Sequence, residues 1–296
     1  MAECHSGGCN EMSAKLQLFL SMFLFGTIGL FVRLIPLPSS MIALVRAMIG
    51  TLFLLAVLLV KKQKPDWPSI RRNWKTLVFS GAAMGFNWIL LFEAYRYTTV
   101  AVATLCYYFS AIFVIIASPF LLKEKISPFK GVCVVAALIG MVLVSGVLEG
   151  GSASFSPVGV ALGLGAAVLY ATVVLLNKRL SGISSYDTTV SQLATAAVVL
   201  LPYVLLTEDV TAISLPPVGL VMLLTVAIVH TGIAYAMYFS SLQQIKAQTV
   251  ALVSYLDPVV ALLLSVFVLS EPMTVLGGIG AVLVLASMLA SECKKG

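Results

Sequence analysis

Long apolar runs separated by short polar connections follow one another along this 296-residue chain. A helix needs about 20 mostly apolar residues to cross the hydrocarbon core of a bilayer, and most of the runs approach that length. They lack the alternation of polar and apolar positions that is typical of transmembrane strands. The pattern predicts an all-α integral membrane protein with ten transmembrane helices. The ten runs are Leu16–Val32, Met41–Val60, Leu77–Tyr97, Val100–Leu122, Gly131–Leu148, Val158–Leu176, Val190–Leu206, Val218–Leu242, Val250–Leu269 and Val275–Ala290.

The second half of the chain resembles the first. The region that starts at Leu77 aligns without a gap with the region that starts at Leu224, an offset of 147 residues that also pairs Tyr108 with Tyr255. The other matched pairs are Gly85 with Gly232, Leu105 with Leu252, Ser118 with Ser265, Leu122 with Leu269, Glu124 with Glu271 and Gly131 with Gly278. Similarity at this spacing predicts two repeats of five helices each, residues 1–150 and residues 151–296.

Lysine and arginine concentrate on one side of the predicted bundle. Fifteen of them fall in segments on the side of the N-terminus, whereas the segments on the other side hold only Arg33 and Arg96. Cytoplasmic connections carry such an excess, so both termini are predicted to be cytoplasmic. Because each repeat has an odd number of helices, the second repeat must enter the membrane from the opposite side. Inverted repeats of this kind are typical of carriers that work by alternating access.

The composition agrees with a membrane protein and narrows its chemistry. Residues AVILMFWYC make up 60% of the chain and charged residues 10%, against about 25% charged residues in soluble domains. The net charge of +6 is explained by bases facing an anionic inner leaflet, so we expect no nucleic-acid partner. The five cysteines form no CxxC motif, and no metal or cofactor is expected. A Walker A motif is absent, and the chain has no residue pattern of an intramembrane protease, so we expect no enzyme.

Two segments of the chain resemble a known repeat. The segments Phe92–Ser127 and Tyr238–Thr274 are similar to the two copies of the EamA-type repeat of the drug/metabolite transporter superfamily. The motif residues are Asp257-Pro258 and Glu271 in the second copy, and Tyr107-Tyr108 and Glu124 in the first. The first copy has Ala111 where the family usually has proline, and Pro119 stands lower in the same helix. The resemblance implies a ten-helix carrier of small metabolites.

These observations together predict a secondary active transporter in the plasma membrane. It would move a small metabolite, such as an amino acid or an amine, by alternating access, with possible coupling to a proton or another cation. The alternatives are a channel or facilitative uniporter, and a non-transporting receptor with the same fold. The expected partners are the small-molecule substrate and membrane lipid, and the chain is expected to act as a monomer or a homodimer.

Asp257 is the most informative polar residue of the predicted spans. It lies about ten residues from either end of the ninth helix, on a face of small and polar residues that includes Ser254. An ionised carboxylate at that depth is costly, so it should be paired, hydrated or protonated. It is therefore a candidate coupling site, with a structural role beside Pro258 as the alternative. His230 of the eighth helix is a second coupling candidate because histidine titrates near neutral pH.

Other polar and aromatic side chains could line a substrate pocket, and the aromatic ones would suit a planar ring or an ammonium group. The full set of candidate substrate-binding residues is Asn87, Trp88, Tyr107, Tyr108, Thr231, Tyr235, Tyr238, Ser254, Tyr255 and Asp257.

Two further intramembrane charges stand at similar depth near the outer surface. Arg46 of the second helix and Glu93 of the third are predicted to pair, either as a gate or as a fixed ion pair, with substrate-carboxylate binding by Arg46 as the alternative. Glu124 and Glu271 lie at the membrane interfaces and are predicted to cap the helices that follow them.

Overall fold

The computed structural model describes residues 3–32, 34–98, 100–123, 128–144, 147–149, 156–209, 215–269 and 274–293. Within these ranges every regular element is helical, so the all-α prediction is confirmed. Eight segments are long and apolar enough to cross a membrane, and two shorter apolar helices bring the number to the ten predicted. Glu124 and Glu271, the predicted capping residues, lie outside the described residues.

The ten helices are numbered here in chain order. Seven are continuous: α1 (Glu3–Val32), α2 (Ser39–Val60), α3 (Trp67–Tyr97), α5 (Pro128–Val144), α6 (Pro157–Asn177), α7 (Ser185–Thr207) and α10 (Val275–Cys293). The other three are made of pieces: α4 (Val100–Tyr108 and Ser110–Leu122), α8 (Pro217–Thr225, Val226–Ile233 and Ala234–Leu242) and α9 (Ala247–Val253 and Leu256–Leu269).

Several helices begin or end with recognisable local chemistry. Ser184 caps α7, because its side chain accepts a hydrogen bond from the backbone N–H of Asp187. At the start of α3 the carboxylate of Asp66 accepts a hydrogen bond from the backbone N–H of Ser69 at 3.2 Å. Hydrogen bonds from Ser69 hold the pKa of Asp66 below its ordinary value. At the other end of a helix, Lys123 follows α4 in the left-handed conformation, which stops the helix.

The chain forms two compact units, and each unit combines segments from both halves of the sequence. The first unit consists of Met1–Gly85 and Leu176–Lys246, and so contains α1, α2, the first part of α3, α7 and α8. The second consists of Phe86–Leu175 and Ala247–Gly296. The division at residue 150 describes a repeat in the sequence and stays a prediction about folding units.

A buried polar cluster lies where α3, α7 and the end of α6 meet in the first unit. The Nε2 of Gln192 donates to Ser80 Oγ at 2.8 Å and to Asn177 Oδ1 at 3.0 Å. All three side chains are buried. Beside them, a Cβ added to Gly81 would stand only 2.8 Å from the backbone oxygen of Gln192. Such hydrogen bonds, with a glycine at the contact, are the usual means of holding helices together in lipid, where the hydrophobic effect contributes little.

The second unit is held by two helix pairs. Helices α5 and α10 pack along each other, and a Cβ on Gly140 would stand 2.8 Å from the backbone oxygen of Gly280. The second piece of α4 packs against the first piece of α9. There Gln248 Nε2 donates to Ser118 Oγ at 3.4 Å. Small residues at these contacts let the backbones approach closely.

Hydrogen bonds between helix ends agree with the predicted topology. Ser40 at the start of α2 donates to Glu208 after α7, and both positions are predicted to face outward. Lys178 after α6 donates to the backbone oxygen of Ile245, and both are predicted to face the cytoplasm. In the second unit Lys130 donates to Thr249 at 2.8 Å, again within the cytoplasmic set.

Cysteine labelling tests the assignment of sides. In a chain whose native cysteines are replaced by serine, a cysteine at Asp209 is expected to react with an impermeant maleimide in intact cells. A cysteine at Lys64 is expected to react only after permeabilisation, because the excess of lysine and arginine places that loop inside. Labelling of both after permeabilisation is the control, and the reverse pattern in intact cells would overturn the topology.

Candidate functional site

Helices α4 and α9 are interrupted at nearly equivalent positions of the two repeats. Helix α4 breaks at Phe109, and α9 breaks at Ser254 and Tyr255. At both breaks the backbone turns more tightly: Phe109 N donates to Cys106 O at 3.2 Å, and Tyr255 N donates to Leu252 O at 3.2 Å. Breaks inside a membrane helix free backbone carbonyls for other partners, and they are tolerated only where those groups are satisfied or hydrated.

The break in α4 is joined to the break in α9 by two tyrosines from equivalent positions of the repeats. The hydroxyl of Tyr255 donates to the backbone oxygen of Tyr108 at 3.1 Å. The side chain of Tyr108 is in turn hydrogen-bonded to the carboxyl of Asp257, and the two tyrosine rings lie 5.7 Å apart. Tyr255 is fully buried and Tyr108 nearly so, whereas Asp257 is partly exposed. Tyr108 therefore holds the carboxyl of Asp257 in place next to the break in α9.

Further aromatic and polar candidates lie in the same unit. Tyr107 packs against Tyr170 of α6, with ring centroids 5.4 Å apart, and is partly exposed. Asn87 is buried and donates to the backbone oxygen of Ala166 at 2.6 Å, which ties α3 to α6. Trp88 is also buried. Ser254 donates to the backbone oxygen of Ala251 at 2.6 Å, which satisfies a carbonyl next to the break in α9.

The first unit contains the other group of predicted residues, on a π-helical segment of α8 from Val226 to Ile233. The wider turn lets side chains bond carbonyls five residues back: Thr231 Oγ1 donates to Val226 O at 3.0 Å. Arg46 Nε of α2 donates to the same Thr231 hydroxyl at 2.9 Å. A Cβ on Gly232 would stand 2.7 Å from the ring of Phe53. The lack of a side chain at Gly232 therefore lets α2 pack closely against α8 at this point. Single π turns inside α-helices occur frequently at functional sites.

His230 on this segment can hold a proton at either of two atoms or at both. Its Nε2 lies 2.9 Å from Thr27 Oγ1 of α1, and its Nδ1 lies 3.4 Å from the backbone oxygen of Thr225. Thr27 Oγ1 also lies 2.7 Å from the carbonyl of Leu24. With neutral His230 the threonine hydroxyl can donate to Nε2; with protonated His230 it can accept from Nε2 and donate to Leu24. A rotation of one hydroxyl therefore accommodates both protonation states.

The two remaining tyrosines of the predicted set also lie on α8. Tyr238 is 1% exposed and packs edge-on against Phe25 of α1 at 6.1 Å. Tyr235 is partly exposed and lies 5.0 Å from the same Phe25 ring. Of this pair, Tyr235 is the better candidate for contact with a substrate.

The predicted site residues thus fall into two groups, one in each unit. Asn87, Trp88, Glu93 and the residues of α4 and α9 belong to the second unit, and Arg46 and the residues of α8 belong to the first. Glu93 forms an ion pair with Arg96 at 3.0 Å, and Arg46 bonds Thr231. The predicted pair between Arg46 and Glu93 stays a prediction.

Sequence reasoning missed the partners that orient the candidates. His230 is contacted by Thr27 and by Phe31, whose ring centre lies 4.8 Å from the centre of the imidazole. Tyr107 is contacted by Tyr170. Thr27 is a polar residue inside an apolar run, which is a weak signal that could have been used. Phe31 and Tyr170 carry no such signal, because aromatic residues are common in every membrane helix.

The hydrogen bond between Arg46 and Thr231 gives a direct test of the first group. Replacing Thr231 by valine and Arg46 by glutamine, singly and together, is expected to give a coupling free energy of about 1 kcal/mol, because one partner is charged and Thr231 is buried. Unfolding in detergent measures the cycle. Thr172→Val is the matched control, since that hydroxyl donates to the backbone oxygen of Val168 in its own helix. Strict additivity of the two single effects would show that the bond contributes nothing.

Comparison with known proteins identifies the repeat. The model of the EamA-like transporter family matches residues 12–146 and again residues 157–291. The "Uncharacterized transporter YxxF" of Bacillus subtilis (strain 168) is 28% identical over 281 residues, which cover 94% of this chain and 89% of that protein. An "Uncharacterized transporter" of Archaeoglobus fulgidus is 26% identical, with 93% of this chain and 94% of that protein covered.

Two other matches extend the picture. "Protein PecM" of Dickeya dadantii (strain 3937) is 27% identical over 225 residues, covering 75% of this chain and 74% of that protein. A crystal structure of a protein superimposes with a TM-score of 0.84 at 18% identity, over 95% of this chain and 98% of that one, which shows a shared fold. Two family matches cover most of the chain, one for each half, and they agree with the resemblance found in the sequence. The chain belongs to the EamA-like transporter family.

Proposed function

We propose that this membrane transporter is a secondary active carrier of a small metabolite in the plasma membrane, working by alternating access. The observation that carries the proposal is the hydrogen-bonded set Tyr255, Tyr108 and Asp257, built from the interrupted helices α4 and α9. Unwound backbone and a carboxylate in the middle of a membrane helix are the features from which such carriers build substrate and ion sites.

Asp257 is the proposed coupling residue of this set. A carboxylate in the middle of a membrane helix, held by one tyrosine, can bind a proton or a small cation and release it when the carrier changes state. The hydroxyl of Tyr108 can donate a hydrogen bond to the carboxylate of Asp257 when it is charged. The charged state therefore keeps a hydrogen-bond partner. His230 is the second proposed proton site, since its hydrogen-bond partners accommodate both of its protonation states.

The proposed substrate is a small metabolite with a cationic or aromatic part, such as an amine or an aromatic amino acid. Tyr107 and Tyr170, in the same unit as Asp257, present partly exposed rings. The faces of these rings attract ammonium groups and stack on planar rings. Asp257 would complement a positive charge on the same substrate.

A two-stage experiment tests the function. A thermal-unfolding screen of the purified protein against amino acids, amines, nucleosides and sugars is expected to find a stabilising compound, because a ligand that binds only the folded state raises its stability. That compound is then followed in reconstituted vesicles. Accumulation driven by an imposed proton or sodium gradient is the expected result. Equilibration without accumulation would instead indicate a uniporter or channel, and binding without flux would indicate a receptor.

A further inference from the structure

A cavity of about 230 Å³ lies inside the first unit, between α1, α2, α7 and α8. One part of its wall is apolar and the other part is polar. The apolar lining consists of Phe53, Leu54, Val57, Ile233, Ala236 and Met237; the polar lining consists of Gln17, Ser185, Tyr186 and Ser240. None of these residues belongs to the two groups of candidate site residues described above. A wall of this composition fits a molecule with a polar head and an apolar tail.

One polar group of this cavity requires a hydrogen-bond donor. The Oε1 atom of Gln17 is shielded from solvent and has no hydrogen-bond partner among the described residues. A buried carbonyl oxygen without a donor costs about 1–3 kcal/mol, so such groups are normally satisfied by water or by a ligand. Gln17 belongs to the lining of the cavity, and a rotation of its side chain would bring Oε1 within reach of a ligand that carries a hydroxyl group.

A positive charge stands beside the same cavity. Lys61 Nζ lies 3.3 Å from the hydroxyl of Tyr186 and 4.8 Å from the centre of its ring. Tyr186 lines the cavity, and Ser185 beside it adds a second hydroxyl. A lysine ammonium next to a tyrosine hydroxyl is a suitable pair for a phosphate oxygen.

The position of the cavity along the membrane normal selects the source of that phosphate. Val57 is near the end of α2, Ser185 begins α7 and Ser240 is near the end of α8. All three are helix ends on the side that carries the excess of lysine and arginine, which is the side predicted to face the cytoplasmic leaflet. Basic sites between membrane helices on this side are known to hold anionic lipid headgroups.

We propose that this cavity binds an anionic phospholipid of the cytoplasmic leaflet whose headgroup carries a hydroxyl group, of which phosphatidylglycerol is the simplest example. Lys61 and Tyr186 hold the phosphate. Gln17 Oε1 accepts a hydrogen bond from the glycerol headgroup, and Phe53, Val57 and Met237 contact the start of the acyl chains. The lipid binds α1, α2, α7 and α8 at one point and therefore stabilises the first unit.

The experiment places the full-length protein in nanodiscs of phosphatidylcholine that contain increasing fractions of a second, defined lipid. The thermal-unfolding temperature at each fraction measures the apparent affinity for that lipid. Phosphatidylglycerol is expected to stabilise the protein more than phosphatidic acid, which lacks the glycerol headgroup. Lys61→Gln is expected to weaken the phosphatidylglycerol effect about fivefold, and Lys61→Arg to retain it. Lys64→Gln, an exposed lysine of the same loop, is the matched control and should change little.

A second variant tests the hydrogen bond. Gln17→Leu keeps a side chain of similar size without the acceptor, and it is expected to remove the preference for phosphatidylglycerol over phosphatidic acid while leaving the charge effect intact. Soluble glycerol phosphate and inorganic phosphate are expected to have no effect at the same concentrations, because they lack acyl chains. Equal losses in Lys61→Gln and Lys64→Gln would overturn the proposal, since they would show only general attraction of the surface. Stabilisation by the soluble phosphates alone would also overturn it.

Discussion

Replacing Asp257 by asparagine is expected to abolish accumulation of substrate against a gradient while exchange of substrate across the membrane survives. Asparagine keeps the shape of the side chain and can still accept the hydrogen bond from Tyr108, but it can neither bind a proton nor carry charge. Uphill transport needs the driving ion at every cycle, whereas exchange does not. The loss of accumulation should therefore be at least tenfold, with little change in the stability of the folded protein.

The measurement uses reconstituted vesicles with an imposed pH or sodium gradient, and counterflow of labelled substrate in the same preparation. Tyr108→Phe is the matched control, because it removes the hydrogen bond to Asp257 but keeps the ring and the carboxylate. It should weaken coupling and leave some accumulation. If the asparagine variant concentrates substrate as well as the parent, Asp257 is not the coupling residue. A purely structural carboxylate would instead make asparagine nearly silent and alanine destabilising.

The architecture was largely predictable because hydrophobicity alone determines which segments enter a membrane. Each of the ten apolar runs corresponds to a helix, and the repeat at 147 residues paired Tyr108 with Tyr255, which are in contact in the structure. The helix ends extend past the apolar runs: α3 begins at Trp67, ten residues before its apolar run. Polar residues of these extensions lie at the interface between membrane and water. A search for apolar runs therefore does not detect that they are helical.

The break in α4 shows what the pattern could not predict. The sequence places alanine at position 111, where the family usually has proline, so no local residue requires a break. The helix is nevertheless interrupted at Phe109, and the hydroxyl of Tyr255 binds the carbonyl of the preceding residue. The partner that stabilises this break lies 147 residues away in the chain, and a tertiary contact of that kind has no local signature. Pro119 lies inside the second piece of α4, which is continuous around it.

The sequence indicated which residues are candidates for the site, but it did not indicate which of them lie together. Asp257 was proposed because a buried carboxylate is costly in a membrane, and His230 because histidine titrates near neutral pH; each has hydrogen-bond partners in the structure. The sequence could not show that the two belong to different compact units. It also gave no signal for the π-helical segment that orients His230 and Thr231, because the extra residue of a π turn depends on the packing of α8 against α1 and α2.

The polar cluster of Ser80, Asn177 and Gln192 illustrates the same limit in the first unit. The three residues lie far apart in the sequence, and their spacing along the chain says nothing about their contact. What brings them together is the close approach of α3 and α7 at Gly81. A test of that glycine is therefore a test of the packing on which the whole cluster depends.

Gly81→Ala is expected to destabilise the protein by about 1–3 kcal/mol, because the added methyl group has no room. Its Cβ would stand 2.6 Å from the Cβ of Thr195 and 2.8 Å from the backbone oxygen of Gln192. Neither atom belongs to the far end of a flexible side chain, so α7 itself must move and the hydrogen bonds of Gln192 must lengthen. Gly81→Val should be worse, since a branched side chain needs still more space.

Gly29→Ala is the matched control, because no atom lies within 4 Å of a Cβ built there. Alanine is a better helix former than glycine by about 1 kcal/mol, so this variant should be as stable as the parent or slightly more stable. Unfolding of both variants in the same detergent, followed by circular dichroism, gives the comparison. Equal stability of Gly81→Ala and Gly29→Ala would mean that α3 and α7 do not approach as closely as described, and the cluster of Ser80, Asn177 and Gln192 would then lack its support.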